Sequence, residues 1–334
     1  MRRIRPCLIL VAASGIAFGA DQALLQLVPP EAPAVAGIQL ERNRNTPLGQ
    51  YLLLHLGERQ EQMAKLYVES GFDPRRDVSE IVLAMGIPDE VPAATAPAGQ
   101  AKTLILARGS FDPARIEAAV VAHGGALSVF QGTHLLLQSS GEHPGQDLTG
   151  ALAFLDSSIA VIGDPALVKQ AIVRRASGDP AGAWCAKAQA LSTENDAWFL
   201  VQGPVSELTS GMPGSTAGTA GQTAQMFQSV TAASGGMKLG ANVVITAEVV
   251  ARSEKDAQSL AEVLRFLTAM LEANKAKSPA AGQISALLSS LRLTTSTNVI
   301  HLSLTASESQ VEALLAVLQQ HPAGAAAAPP PPAN

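Results

Sequence analysis

The sequence predicts an α+β fold made of two tandem related domains, each a mainly antiparallel sheet with helices packed on one face. Three observations predict it: short runs in which apolar and polar residues alternate, amphipathic helices that follow pairs of such runs, and the same order of elements in both halves. The predicted domains cover residues 21–180 and 181–321, between a signal peptide at 1–20 and a disordered Ala/Pro tail at 322–334.

The first half is predicted to contain strands and helices in the order strand, helix, two strands, helix, further strands and helix. Two of its helices begin at Asp-Pro, in Asp112-Pro113 and Asp164-Pro165, where Asp caps a free amide and Pro has its φ preset. The predicted segments are 34–40, 48–70, 77–86, 102–108, 113–122, 127–138, 151–162 and 165–176.

The second half repeats this order. Ser253 precedes one helix at a capping-box spacing, and Ile300, Leu302 and Leu304 alternate with polar residues, as expected of an antiparallel strand with one solvated face. The predicted segments are a strand at 196–202, a helix at 221–233, strands within 237–251, a helix at 254–274, strands within 291–305 and a helix at 308–320. The repeat of β-α-β-β-α-β-β-α, with an extra hairpin in the first half, indicates an ancient duplication.

The N-terminus has the order of a signal peptide. Arginines precede a short apolar run from Cys7 to Ala13, and small residues follow at Ala17-Phe18-Gly19-Ala20. Cleavage after Gly19 fits the small-x-small rule through Ala17, and cleavage after Ala20 is the alternative. A retained anchor would need about 20 apolar residues, more than this run supplies. We therefore expect a periplasmic or secreted protein without a membrane span after cleavage.

The charge and cysteine content change with that cleavage. The chain has 23 basic and 28 acidic residues, and losing three arginines moves its net charge from −5 to −8. An acidic protein is not expected to bind nucleic acid. Losing Cys7 leaves Cys185 as the one cysteine, so no intramolecular disulfide is predicted.

No motif assigns catalytic, cofactor-binding or metal-binding residues, and no cofactor is predicted. Gly-x-Ser-x-Gly, a Walker loop and a dinucleotide fingerprint are missing from the sequence. Cys185 stands in a helical context and is interpreted as a structural thiol. Weaker candidates are the spaced histidines His123, His134 and His143, the doublets Arg75-Arg76 and Arg174-Arg175, the serine of Ser234-Gly235, and the carboxylates Asp89-Glu90 and Glu194 with Asp196.

Two short motifs carry a resemblance. Leu27 to Pro33 is a Pro-rich lead into the apolar segment Val35 to Ile38, and Phe72-Asp73 with Asp77 forms a Phe-Asp-x-x-x-Asp step before another strand. In residues 24–110 the chain thus resembles a class of uncharacterised exported bacterial proteins, a family of unknown function. The resemblance implies export and no catalytic residues.

These observations favour an exported, non-enzymatic binding or scaffold protein. Its expected partner is another envelope protein or a small ligand in an interdomain cleft. The alternative is a hydrolase whose active site is assembled from distant residues in that cleft, with His134 or His301 as the general base.

Overall fold

The computed structural model describes residues 19–46, 49–50, 68–87, 102–139, 148–178, 181–203, 228–275 and 279–313. Strands β1 to β12 span Ala34–Gln39, Val78–Ile87, Lys102–Gly109, Ala126–Phe130, Thr133–Ser139, Leu148–Asp156, Ile159–Gly163, Ala197–Gln202, Val230–Lys238, Asn242–Ala251, Arg292–Ser296 and Val299–Ser307. Helices α1 to α8 span Gln22–Leu25, Leu40–Asn43, Pro74–Asp77, Pro113–Ala122, Pro165–Ser177, Cys185–Glu194, Glu254–Ala273 and Pro279–Leu288. Residues 308–313 are also helical.

The twelve strands form one antiparallel sheet in the order β11-β12-β10-β9-β8-β1-β2-β3-β7-β6-β5-β4. The two halves of the chain join where β1 pairs with β8, with Ala36 opposite Phe199. They meet along strand edges within one sheet, rather than face to face. The predicted α+β class with antiparallel pairing is confirmed, and the division into two related domains stays a prediction.

Helices cover both faces of the sheet, so the prediction of helices on one face is wrong. On β3, Leu106 packs in the same core as Val168 of α5, whereas the next residue, Ala107, packs with Ile116 of α4. Successive residues of a strand point to opposite faces, which places α4 and α5 on opposite sides. The physical reason is that β3 is apolar on both faces, a pattern that requires cover on each side. We call the α5 side face A and the α4 side face B.

Face A of the first half carries the largest core. It packs α1, α5 and α6 against the strands near the join. Trp198 of β8 lies in this core, and Gly37 of the neighbouring β1 leaves room for its ring, since a Cβ on Gly37 would come within 2.5 Å of the indole. Among the described residues, no helix has the length and apolar character needed to span a membrane.

Most predicted elements are confirmed, and one is wrong. The helices expected at 113–122, 165–176 and 254–274 correspond to α4, α5 and α7. The predicted helix 221–233 is wrong over 230–233, which begin β9, and its earlier part lies outside the described residues. Two-sided pairing of β9 with β8 and β10 prevails there over the helical tendency of its alanines.

The other predicted helices can be compared only in part. Of the predicted helix 48–70, residues 49–50 and 68–70 are described and helical, and of 308–320, residues 308–313 are. The sequence interpretation missed α8 altogether. The predicted signal peptide lies outside the described residues except for 19 and 20, and the predicted tail lies wholly outside them.

The N-cap of α5 gives a first prediction. The Asp164 carboxylate accepts a hydrogen bond from the Ala166 amide at 2.8 Å and lies 3.7 Å from the Lys102 ammonium. Asp164→Ala is expected to lower the free energy of unfolding by about 1 kcal/mol, because a helix-end amide loses its acceptor. Chemical denaturation measures the change. Asp164→Asn keeps the cap and removes the charge, so an equal loss in both variants would contradict the capping explanation.

Candidate functional site

The second half of the sheet has one covered face and one polar face. Face B is covered by α7, whose Leu260 packs against Ile300 of β12. Ile300 packs on face B, so the next residue of the strand, His301, points to face A. Glu248 is paired with His301, and Thr246 is two residues from Glu248, so both of these side chains also point to face A.

Among the described residues, the helical segment that follows β12 does not cover face A of the second half. In the first half, α5 follows β7 and covers face A. In the second half, residues 308–313 follow β12 in the corresponding place, but Val311 packs with Val243, a face B residue of β10. Within the described part of the chain, face A of the strands β9 to β12 therefore keeps exposed polar side chains.

Helix α6 borders this surface and turns it into a cleft. The helix packs on β8 through the fully buried Ala188, and the residue before it, Lys187, lines the cleft over the strands. The resulting cleft has a volume of about 550 Å³. We name it the polar cleft and define it by six of its lining residues: Lys187, Glu194, Thr246, Glu248, Arg292 and His301.

Three charged or titratable side chains meet inside the polar cleft. The Lys187 ammonium lies 2.9 Å from one carboxylate oxygen of Glu248, and Nδ1 of His301 lies 3.7 Å from the other. The hydrogen bond from Lys187 lowers the pKa of Glu248 most, and the charges of Lys187 and His301 add to the effect against the opposing effect of burial. Glu248 is therefore ionised at neutral pH.

These three side chains remain available to a ligand, because each is 46–47% exposed. Exposed ion pairs contribute only about 0–1 kcal/mol to stability, so the fold gains little from this arrangement. Arg292 lines the cleft on β11, the side away from α6. The cleft thus presents two basic residues, two acidic residues and a histidine.

The histidines weighed from the sequence are not brought together. Nε2 of His123 lies 2.8 Å from Glu69, and Nδ1 of His134 lies 2.8 Å from Glu117. The residue after His134 belongs to the face A core, which places His134 on face B, opposite to His301. His55, His143 and His321 lie outside the described residues. Within the described ranges, no group of three His, Cys, Asp or Glu residues could hold a metal ion.

Cys185 and Ser234, the residues weighed as nucleophiles that are described, have surroundings that do not activate them. Burial raises the pKa of the Cys185 thiol, which disfavours the reactive thiolate. Ser234 is buried in the middle of β9, opposite Glu248, rather than at the strand-to-helix turn that exposes a nucleophilic serine.

The remaining candidates have structural partners. Arg76 pairs with Asp77 at 2.7 Å, and Arg175 pairs with Asp156 at 3.1 Å. Asp196 is buried and accepts a hydrogen bond from the Leu239 amide at 2.7 Å. Asp89 and Glu90 lie outside the described residues. Of the two weighed carboxylates that are described, Glu194 and Asp196, Glu194 lines the polar cleft.

The sequence interpretation missed Lys187 and Glu248. They are 61 positions apart, and only the pairing of β10 with β9 and the packing of α6 bring them together. One signal was available: Glu248 is the single charged residue inside the apolar strand Asn242–Ala251.

Comparisons with known proteins add little to this picture. No family model matches the chain, and no curated protein matches it. Among solved structures, the chain is similar to TP0453, whose structure is described as crystal form I, at 9% sequence identity and a TM-score of 0.49. That similarity covers 88% of this chain and 97% of TP0453.

Proposed function

We propose that the protein is an exported, non-enzymatic binding protein that takes a small polar ligand in the polar cleft. The observation that carries the proposal is the half-exposed arrangement of Lys187, Glu248 and His301, fixed on paired strands and a packed helix. Export, to the periplasm or the medium, is supported by the signal-peptide order of residues 1–20.

The ligand class follows from the size and charges of the polar cleft. A volume of about 550 Å³ lies in the range of small-molecule sites. Lys187 and Arg292 can bind an acceptor such as a carboxylate, while Glu248 and Glu194 can accept hydrogen bonds from hydroxyl or amino groups. We therefore propose a small molecule that carries both kinds of group.

Binding is better supported than hydrolysis, the alternative. A catalytic base should lie within hydrogen-bond reach of a nucleophile or of the water it activates. His301 contacts Glu248, and among the described residues no serine, threonine or cysteine is hydrogen-bonded to it. The polar cleft lies within residues 187–303, in the second half of the chain, whereas both hypotheses expected a cleft between the halves, so its position does not decide between them.

Isothermal titration of the purified protein with a panel of amino acids, sugars and hydroxy acids tests this proposal. The ligand found is expected to bind at least tenfold more weakly to Lys187→Met and to Glu248→Gln, a loss of about 1.4 kcal/mol or more. Matched controls are Lys255→Met and Glu254→Gln on exposed positions of α7. Equal affinity in the cleft and control variants would refute the site. Turnover of the ligand that disappears in His301→Gln would establish the hydrolase instead.

We also propose that the two halves arose by duplication. From the join outwards, the first half has strands β1, β2, β3, β7 and β6, and the second has β8, β9, β10, β12 and β11. A helix on face B follows both β3 and β10. The hairpin of β4 and β5 is then the extra element of the first half. Superposition of the halves in an experimental structure should align these five strands in order without a gap.

A further inference from the structure

The segment at the predicted cleavage site is buried in the fold. Ala20 is buried, and its backbone nitrogen lies 2.5 Å from Oγ of Ser192, near the C-terminal end of α6. The next nitrogen, that of Asp21, lies 3.1 and 3.3 Å from the two carboxylate oxygens of Glu80 on β2. Residues 20 and 21 are thus held between a helix and the centre of the sheet.

Glu80 is a buried carboxylate that lacks a close cation. It is 4% exposed, and no lysine, arginine or histidine nitrogen of the described residues lies within 4.0 Å of its oxygens. The nearby guanidinium of Arg42 donates to the Ser192 carbonyl at 3.3 Å instead, and that of Arg108 pairs with the carboxylate of Asp21. An ionised carboxyl group in such a place is costly without a countercharge.

The surroundings of the Ala20 nitrogen suit a positive charge. Oγ of Ser192 donates its own proton to the Gln189 carbonyl at 2.9 Å, so it meets Ala20 as an acceptor. The C-terminal end of a helix carries a partial negative charge, and α6 ends at Glu194 beside this point. The carboxylate of Glu80 is bonded to the adjacent residue. All three features favour an ammonium group over an amide.

We propose that cleavage between Gly19 and Ala20 creates an α-ammonium group that binds at this position, between Ser192 and Glu80. This inference rests on the proposed export of the protein. A signal peptidase adds water across the peptide bond, so that Gly19 leaves as a carboxylate and the Ala20 nitrogen becomes an ammonium at neutral pH. The new N-terminus then supplies the countercharge of Glu80 and fastens α1 to the sheet.

The first measurement locates the cleavage. The full chain is expressed in a bacterium, the exported protein is purified, and its N-terminal residue is determined by mass spectrometry. Ala20 is the expected first residue. An N-terminus at Asp21, or a chain that keeps residues 1–19, overturns the assigned position.

The second measurement tests the contact itself. Two chains are compared by urea denaturation, one starting at Ala20 and one starting at Gly19, which moves the ammonium one residue away. The Ala20 chain is expected to unfold with an equilibrium constant at least tenfold smaller at pH 7. The difference should vanish when both chains carry Glu80→Gln and persist when both carry Glu262→Gln, an exposed control on α7.

A chemical readout covers the case in which a variant folds poorly. Acylation of the α-amine is expected to be at least tenfold slower in the Ala20 chain than in the Gly19 chain, because a bound ammonium is not a nucleophile. Equal unfolding constants together with equal acylation rates would overturn the inference. Ligand binding in the polar cleft is independent of either result, so a failure here is distinguishable from a failure of the binding proposal.

Discussion

Replacing Trp198 with alanine is expected to lower the free energy of unfolding by about 3–5 kcal/mol, the usual loss for a buried large aromatic residue. Trp198 is 3% exposed and lies on β8 at the join of the two halves. Its cross-strand neighbours on both sides are glycines, Gly37 and Gly236. The indole lies over Gly37, while the side chain of Asn195 lies over Gly236. Removal of the indole therefore leaves a cavity over Gly37, a residue that has no side chain to fill it.

Phe199 supplies a matched control for this prediction. It is the next residue of β8, points to the other face and is 37% exposed, so Phe199→Ala removes an aromatic ring from the same strand that is less buried than Trp198. Equilibrium denaturation in urea at pH 7 measures both variants. A loss for Trp198→Ala no larger than that for Phe199→Ala would show that the ring does not hold the join together.

The second large effect is the dependence of stability on pH that the buried carboxyl group of Glu80 causes. It is expected in a chain that keeps Gly19, in which the Ala20 nitrogen is an amide and not an ammonium group. Burial raises the pKa of Glu80 from 4.5 to about 7, against smaller opposing contributions from Gln39 and Arg42. Between these values the folded protein binds a proton that the unfolded chain has lost. The contribution of Glu80 to stability is therefore fully present below pH 4.5 and is lost as the pH rises to about 7. Glu80→Gln should remove this decline and raise the free energy of unfolding at pH 7 by about 3 kcal/mol.

Denaturation series from pH 4 to pH 8 measure this effect, with Glu262→Gln as the exposed control. The control variant should follow the parent chain at every pH. If the free energy of unfolding falls equally in Glu80→Gln and in the parent chain from pH 4.5 to pH 7, the buried carboxylate is not the cause of the decline. In the chain that starts at Ala20, the decline itself should be weaker, because the ammonium stabilises the ionised form.

Local chemistry made much of the fold predictable. The carboxylates of Asp112 and Asp164 and the hydroxyl of Ser253 cap α4, α5 and α7 as their spacing predicted. The alternation of Ile300 and His301 correctly indicated a strand with one polar side. These signals depend on residues a few positions apart, which is why a sequence can display them.

The features that were missed depend on pairing at long range. That β1 pairs with β8 decides that the halves form one sheet, and no local pattern marks that choice. The strand character of 230–233 depends on neighbours at both edges. Likewise, His301 was a candidate from the start, but its partner Glu248 could be identified only from the register of β10 and β12.

The central place of β1 has a consequence for how the chain is completed during synthesis or export. The strand made first pairs with β2 on one side, but its other edge is filled by β8, which begins at Ala197. Until β8 has been synthesised, the backbone N–H and C=O groups on this edge of β1 have no strand partner, and another extended chain could pair with them. A growing molecule therefore needs its β1 edge protected while about half of the chain is synthesised, and truncated products ending before β8 should aggregate.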